Sequence, residues 1–320
     1  MGYNVENYRT VRATLEERRT SAVKEAEMRK RALHAESPEL FRIDAALSET
    51  GRKLFRAACM GGEGLSDRLR ELRQENEALL SKRRELLRAI ALPEDYTDVH
   101  YTCKDCLDTG FVGTKMCSCM RILLAEAGFR SSGLGNLIDR QSFDNFSFDY
   151  YAEDRETLSL MRYAYNECKE YAEGFTVGNG NLLLMGGTGL GKTHLSTAIA
   201  RRVIERGYDV LYESAPNVFS AFEYDRFRAR GDEASRSERY MNAELLIIDD
   251  LGTEMPTQFS ISCLYNLINT RLNRGKSTIV STNLSENELS RTYDARITSR
   301  LFGEYKILLF RGQDVRKQKL

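Results

Sequence analysis

The stretch GGTGLGKT, Gly186 to Thr193, constrains this chain more than any other, because it joins an apolar run, NLLLM, to the helix-forming run THLSTAIARRVIER. Gly186, Gly191, Lys192 and Thr193 fit the pattern G-x-x-x-x-G-K-[ST], in the strand–turn–helix context that gives the pattern its mechanism. Glycines let the backbone wrap closely, and the start of a helix points unpaired N–H groups at an anion. Gly186, Gly187, Thr188, Gly189, Leu190, Gly191, Lys192, Thr193 and His194 are therefore the candidate nucleotide-phosphate cradle. Lys192 supplies a point charge and the Thr193 hydroxyl a ligand for Mg²⁺. His194 reads as a packed helix residue rather than a catalyst.

A phosphate cradle becomes an ATPase only with a metal-holding carboxylate and a group that orients water. In AELLIIDDLGTE, four apolar residues form a buried strand whose carboxyl end carries Asp249 and Asp250. Such strand ends are where α/β sheets present ligands. Asp249 is the candidate for holding Mg²⁺ and Asp250 for polarising the nucleophile; an acidic pair that merely caps the next helix is the alternative. STIVSTN is another apolar strand, and Asn283 after it can reach the γ-phosphate or the lytic water if its strand lies between the other two. With DVLYES and YKILLF these runs alternate with helical segments, which predicts a parallel sheet covered by helices. Gly207 and Gly275 stand where helices hand over to strands.

The first ninety residues have helix-forming composition, with three helices expected. The first runs roughly from Val5 to His34. Ser37-Pro38 starts the second, which carries Leu40, Phe41, Ile43, Leu47 and Phe55, and the glycines of MGGEG end it. In the third, Leu65, Leu69, Leu72, Asn76, Leu79, Arg83, Leu86 and Ile90 alternate spacings of four and three, as in a coiled-coil seam. A hairpin within the chain and a partner-binding coil both satisfy that pattern. Cys103, Cys106, Cys117 and Cys119 then form two thiol pairs, with Gly110 and Gly113 to turn the loop between them. Four thiolates complete a closed tetrahedral Zn²⁺ site, with a redox pair or an iron–sulfur site as alternatives. FRSSGLGN reads as a linker.

GGTGLGKTHLSTAIA, LLIIDDLGTE, STIVSTN and ARITSRLFG, in this order, resemble the AAA+ ATPases of the DnaC/DnaI type, the bacterial replicative-helicase loaders. YTCKDCLDTG followed by CSC resembles the zinc module of the DnaI-like branch. The resemblance implies an α/β fold, an AAA+ P-loop NTPase with a parallel sheet flanked by helices, after an all-α region and a small zinc module. The divisions are a helical partner-binding region over 1–95, the zinc module over 96–125, a linker over 126–141 and the ATPase domain over 142–320. It implies Asp249 and Asp250 as the acidic pair, Asn283 as sensor 1 and Arg300 as arginine finger, with Arg296 as a secondary candidate and Arg316 as a C-terminal arginine near nucleotide. Only twenty residues follow Arg300, too few for the helical lid of the wider family.

The expected function is an ATP-dependent loader of a hexameric, DnaB-like replicative helicase onto single-stranded DNA, using ATP, Mg²⁺ and Zn²⁺ and self-associating through its ATPase domain. The alternatives are an IstB-type transposase helper and a nonhydrolysing, nucleotide-gated adaptor. Lys+Arg and Asp+Glu both number 47, so DNA contact requires a local patch. Phe219, Phe222, Tyr224 and Phe227, interleaved with Arg226, Arg228 and Arg230, offer either a base-stacking surface or core residues beside a solvated face. Neither a signal peptide nor a membrane span is legible, which makes the cytoplasm the expected compartment.

Overall fold

The computed structural model describes residues 4–60, 65–227 and 235–318. Two compact units divide it: Arg12–Cys117, and Ser118–Leu320 together with Met1–Val11.

Three long helices lead the chain: α1 (Val5–Glu36), α2 (Pro38–Met60) and α3 (Leu65–Ala89). The Ser37 hydroxyl accepts from the Leu40 N–H at the start of α2, as the Ser-Pro signal predicts. Leu69, Leu72, Asn76, Leu79, Arg83 and Leu86 are all half-buried, so the four-three spacing marks the face by which α3 packs on α2. Ile90 departs from that seam, and on α2 Phe41 and Phe55 point outward, Phe55 at 74% exposure. The MGGEG glycines lie outside the described residues. Arg83 stands in a mostly apolar seam because it has partners. Its guanidinium donates to Asp44 at 2.8 Å and Thr97 at 2.6 Å, and Asp44 also meets His34 at 2.7 Å. A two-stranded hairpin, β1 (Phe111–Val112) and β2 (Lys115–Met116), then lies between the two cysteine pairs.

The second unit continues with α4 (Ser118–Ser131), α5 (Leu137–Arg140), α6 (Arg155–Glu173), β3 (Asn181–Met185), α7 (Lys192–Glu205), β4 (Val210–Ser214) and α8 (Ala215–Phe227). After these come α9 (Glu238–Asn242), β5 (Leu245–Leu251), α10 (Gln258–Asn273), β6 (Ser277–Thr282), α11 (Glu286–Thr292), α12 (Ala295–Gly303), β7 (Tyr305–Leu309) and α13 (Val315–Gln318). All five expected strands form one parallel sheet in the order β4-β5-β6-β3-β7. Its two faces are both dry. Leu182, Leu184, Leu245 and Ile247 pack into one core while Leu183, Met185, Leu246 and Ile248 pack into the other. The period-two alternation of a strand thus delivers apolar side chains to both helical layers. Gly207 and Gly275 close α7 and α10, donating to Ile204 and Leu272 carbonyls.

Residues 126–141 are not a free connector. They comprise the end of α4 and all of α5, with Ser132, Leu134 and Ile138 buried, because the apolar residues among the Gly/Ser outweigh the linker signal. The aromatics of α8 divide: Phe219 and Phe222 pack on the core, whereas Phe227 is exposed under the Arg226 guanidinium. Arg228 and Arg230 lie outside the described residues. No helix among the described residues is long and apolar enough to cross a membrane.

Arg271 on α10 is fully buried. Its guanidinium donates to the carbonyls of Tyr240, Ala243 and Ser277 and to the Thr278 hydroxyl, joining α9, the strand entries and α10. Burial lowers its pKa to about 10, which leaves it charged at neutral pH.

Burial raises the Asp44 pKa, but hydrogen bonds from His34 and Arg83 outweigh it, so the carboxyl titrates below its ordinary value. A lowered carboxyl pKa contributes stability above the ordinary carboxyl range that is lost as pH falls through the lowered value. Asp44→Ala is expected to destabilise the helical unit by about 1–3 kcal/mol at neutral pH, since it removes the one carboxylate that neutralises the Arg83 guanidinium and leaves it only the Thr97 hydroxyl and the Glu94 carbonyl. Helix melting followed at 222 nm should show this loss shrinking in acid.

Candidate nucleotide-binding site

The turn after β3 is built around close contacts that exclude side chains. Gly191 is the N-cap of α7 with φ of 91°, and a Cβ there would sit 3.0 Å from both the Phe146 ring and the Tyr151 hydroxyl. Tyr151 donates to the Leu190 carbonyl at 3.0 Å, and the Val315 N–H donates to the Gly189 carbonyl at 3.0 Å. The loop is therefore clasped from the segment before α6 and from the C-terminal helix α13. Burial pushes the Tyr151 phenol up to about 12, so it remains a donor.

Three adjacent strands bring the polar residues together, since β6, the strand of Asn283, does lie between β3 and β5. The Lys192 ammonium donates to the carbonyls of Gly186 and Gly187 and, at 2.6 Å, to Asn283 Oδ1. Asn283 Nδ2 in turn lies 3.4 Å from Asp250 Oδ1. Burial lowers the Lys192 pKa, and the charges of Asp250 and Asp249 oppose that fall. Burial, followed by the charge of Asp249, raises the pKa of Asp250.

The two aspartates are held differently. Asp249 is buried; Oδ2 accepts from Thr193 at 3.1 Å and from the Tyr212 hydroxyl at 2.5 Å, and Oδ1 accepts from Ser281. Burial and the neighbouring Asp249 carboxylate drive the Tyr212 phenol well above its ordinary value. Asp250 leaves the sheet ladder at a register shift between Ile248 and Leu251 and takes the left-handed φ of 54°. Its N–H goes to the Ser281 hydroxyl at 3.0 Å instead. A bulge with backbone strain at a strand end redirects a side chain away from the ladder, here beside Asn283.

Lys192, Thr193, Asp250 and Asn283 border a cavity of about 250 Å³. Gln141, Asn145, Phe146, Tyr150 and Tyr151 line it together with the glycine loop from Thr188 to His194 and Arg316. His194 accordingly reaches the wall, although its ring packs edge-on against Phe146 and its Nε2 lies 2.8 Å from the Ser142 carbonyl. The hydroxyl of Thr193 and the carboxylate of Asp249 are hard oxygen donors suited to Mg²⁺, and the helix start beside Lys192 suits phosphate.

Comparison with known proteins agrees with this chemistry. The family model described as IstB-like ATP binding protein matches residues 143–319. The chain belongs to this family. Among curated relatives, the replicative helicase loader DnaC of Escherichia coli K12 is 25% identical over 182 residues, spanning 57% of this chain and 71% of the relative. The chromosomal replication initiator protein DnaA of Zymomonas mobilis is 33% identical over 168 residues, 51% of this chain and 32% of the relative. Among solved structures, the crystal structure of the DnaC helicase loader is 19% identical, covers 54% of this chain and 98% of that one, and superposes with a TM-score of 0.47.

In this IstB-like chain the two arginines of α12 are not among the residues bordering the cavity. Arg300 donates to Asn269 and Tyr265 of α10 and to the Arg296 carbonyl, with its guanidinium 4.7 Å from the Tyr265 ring centre. Arg296 lies 5.3 Å from the same ring and pairs with Asp294. Within the first unit three of the four cysteines converge. The sulfurs of Cys103, Cys106 and Cys117, which share one unit, lie within 4.8 Å of one another, and Cys119 follows in the first turn of α4. Buried Asp108 accepts from the Thr102 and Cys103 N–H groups, and the Gly110 N–H points at the Cys106 sulfur at 3.4 Å, so hydrogen bonds fix the turn of the first knuckle.

Sequence reasoning missed Phe146, Tyr151, Tyr212 and Ser281. For the first two a signal existed in the dense aromatics of SFDNFSFDYY just ahead of the glycine loop; for the others none did. Gly191→Ala is expected to weaken nucleotide binding about tenfold or more, since a Cβ at that φ costs about 1–3 kcal/mol and displaces Phe146 or Tyr151. Titration with a fluorescent ATP analogue, alongside an unchanged circular dichroism spectrum, checks it.

Proposed function

We propose that this chain is an ATP-driven loader that sets a hexameric, DnaB-like replicative helicase on single-stranded DNA at replication initiation. One observation carries the reading: Lys192, Asn283 and Asp250 form a continuous polar chain across three neighbouring strand ends, with Thr193 and Asp249 beside it. Lys192 and the N–H groups at the start of α7 bind the β- and γ-phosphates. Thr193 and Asp249 hold Mg²⁺, which when bound supplies charge neutralisation across those phosphates. Asp250 orients the attacking water and takes its proton, and Asn283 hydrogen-bonds the γ-phosphate. Arg300 acts as a finger toward a neighbouring subunit's nucleotide, and Arg316 approaches the chain's own.

Residues 1–95 grip the helicase, with the module over 96–125 stabilised by Zn²⁺ on Cys103, Cys106, Cys117 and Cys119; residues 142–320 are the motor. Similarity to a relative named as a replicative helicase loader supports this choice. The IstB-like family description favours a second reading, a helper ATPase of a transposase. Co-purification of the full chain with a hexameric helicase, or with a transposase, separates the two.

Lys192→Ala is expected to lose ATP binding by removing the charge in the cradle. Asp250→Asn should bind ATP and lose turnover by a factor of about 100 or more, measured as phosphate release; equal turnover would remove Asp250 from its role. Elemental analysis should find one zinc per chain in unstripped protein. Cys106→Ser should lose the metal and helicase binding while nucleotide binding persists. Arg300→Ala and Lys192→Ala, each inactive alone, should recover hydrolysis when mixed, because the second lends its finger to the first; no recovery under conditions where wild-type subunits assemble would make Arg300 a surface residue.

A further inference from the structure

Asp249 is held by three hydroxyls, and they differ in what else they do. Thr193 is itself a candidate metal ligand, and Ser281 also receives the Asp250 N–H. Tyr212 remains. Its single hydroxyl proton goes to Asp249 Oδ2 at 2.5 Å rather than to Ser196, which is 3.4 Å away and itself donates to the Thr193 carbonyl.

Tyr212 sits on β4, the edge strand. In a strand, the N–H and C=O of one residue point to the same side, and those of Tyr212 face away from β5 toward the segment that follows α4. The Tyr212 N–H donates to the Ser132 carbonyl at 2.7 Å. Gly133, with φ of 85°, lies so close to the Tyr212 carbonyl that a Cβ would collide with it. The segment is firmly seated: Ser132 is fully buried and its hydroxyl donates to the Phe129 carbonyl at 2.8 Å, and Leu134 is buried beside it. The helix that leads here, α4, carries Cys119 in its first turn.

We propose that Tyr212 is a positioning residue for Asp249, and that Ser132–Gly133, docked on the Tyr212 peptide, sets where its hydroxyl lies. This rests on Asp249 acting as the Mg²⁺ carboxylate. Without the hydroxyl, Oδ2 keeps only Thr193, so the carboxylate gains rotational freedom and the metal loses a preformed ligand; partners in this outer layer typically govern metal affinity by factors of 10–100. A shift of the end of α4 would move the Tyr212 peptide and reach Asp249 through a rigid ring.

The test measures binding of a fluorescent ATP analogue to the full chain, first in EDTA and then as Mg²⁺ is added. Tyr212→Phe is expected to bind the analogue in EDTA as the wild type does, and to raise the Mg²⁺ midpoint about tenfold or more. Gly133→Ala should raise the midpoint too, whereas Gly135→Ala, at φ of 52° with open space around its Cβ position, should not. A wild-type midpoint in Tyr212→Phe overturns the proposal. Equal midpoints for Gly133→Ala and Gly135→Ala overturn the docking half, and this comparison stands even if Tyr212→Phe fails to fold. Asp249→Asn separates the premises: if its midpoint equals the wild type's, or wild-type binding ignores Mg²⁺, the metal role of Asp249 fails and the proposal falls with it.

Discussion

Everything functional in the second unit depends on a sheet that is parallel throughout and dry on both faces. Parallel strands send all their carboxyl ends to one side, which is where such sheets present polar groups to a ligand. Gly186 follows β3, Asp249 and Asp250 lie in the last three residues of β5, and Asn283 follows β6. The order β5-β6-β3 then leaves one arrangement for their side chains. Asn283 stands between Lys192 and Asp250, and its amide, with an acceptor on one side and donors on the other, suits the ammonium and the carboxylate at once.

Most of that frame was legible from local pattern. The five strands, the loop and the helix-ending glycines are encoded in runs of five to fifteen residues, where periodicity and turn chemistry speak directly. Tyr212 and Ser281 were not legible, because they meet Asp249 across sequence separations of 37 and 32 residues and nothing local distinguishes a hydroxyl that reaches a carboxylate from one that packs. Asp250 was found as a carboxylate, but its left-handed backbone depends on a bulge between two strands. The segment 126–141 shows the opposite case: the Ser and Gly of FRSSGLGN signal a linker, while buried Leu134 and Ile138 dock it.

The polar residues in apolar seams follow the same logic. Arg83 interrupts the heptad spacing of α3 because Asp44, Thr97 and the Glu94 carbonyl all meet its guanidinium, and His34 completes the set on Asp44. Such a cluster fixes the register of α2 against α3, since sliding by one turn would leave a carboxylate and a guanidinium buried apart. Arg300 shows a comparable fork on α12, where Asn269 and Tyr265 hold the guanidinium plane in a set direction on the side of α10.

Arg271 has a different bearing, on how this unit comes apart. One buried guanidinium is shared by carbonyls from the end of α9 and from the start of β6 and by a hydroxyl on β6, while its stem belongs to α10. Peeling away any of these pieces alone would leave a charge in the interior with donors unmet, at a cost that water could repay only after the neighbours had opened as well. Their partial unfoldings are therefore merged into one event, and amide exchange across α9, α10 and β6 is tied to a common opening.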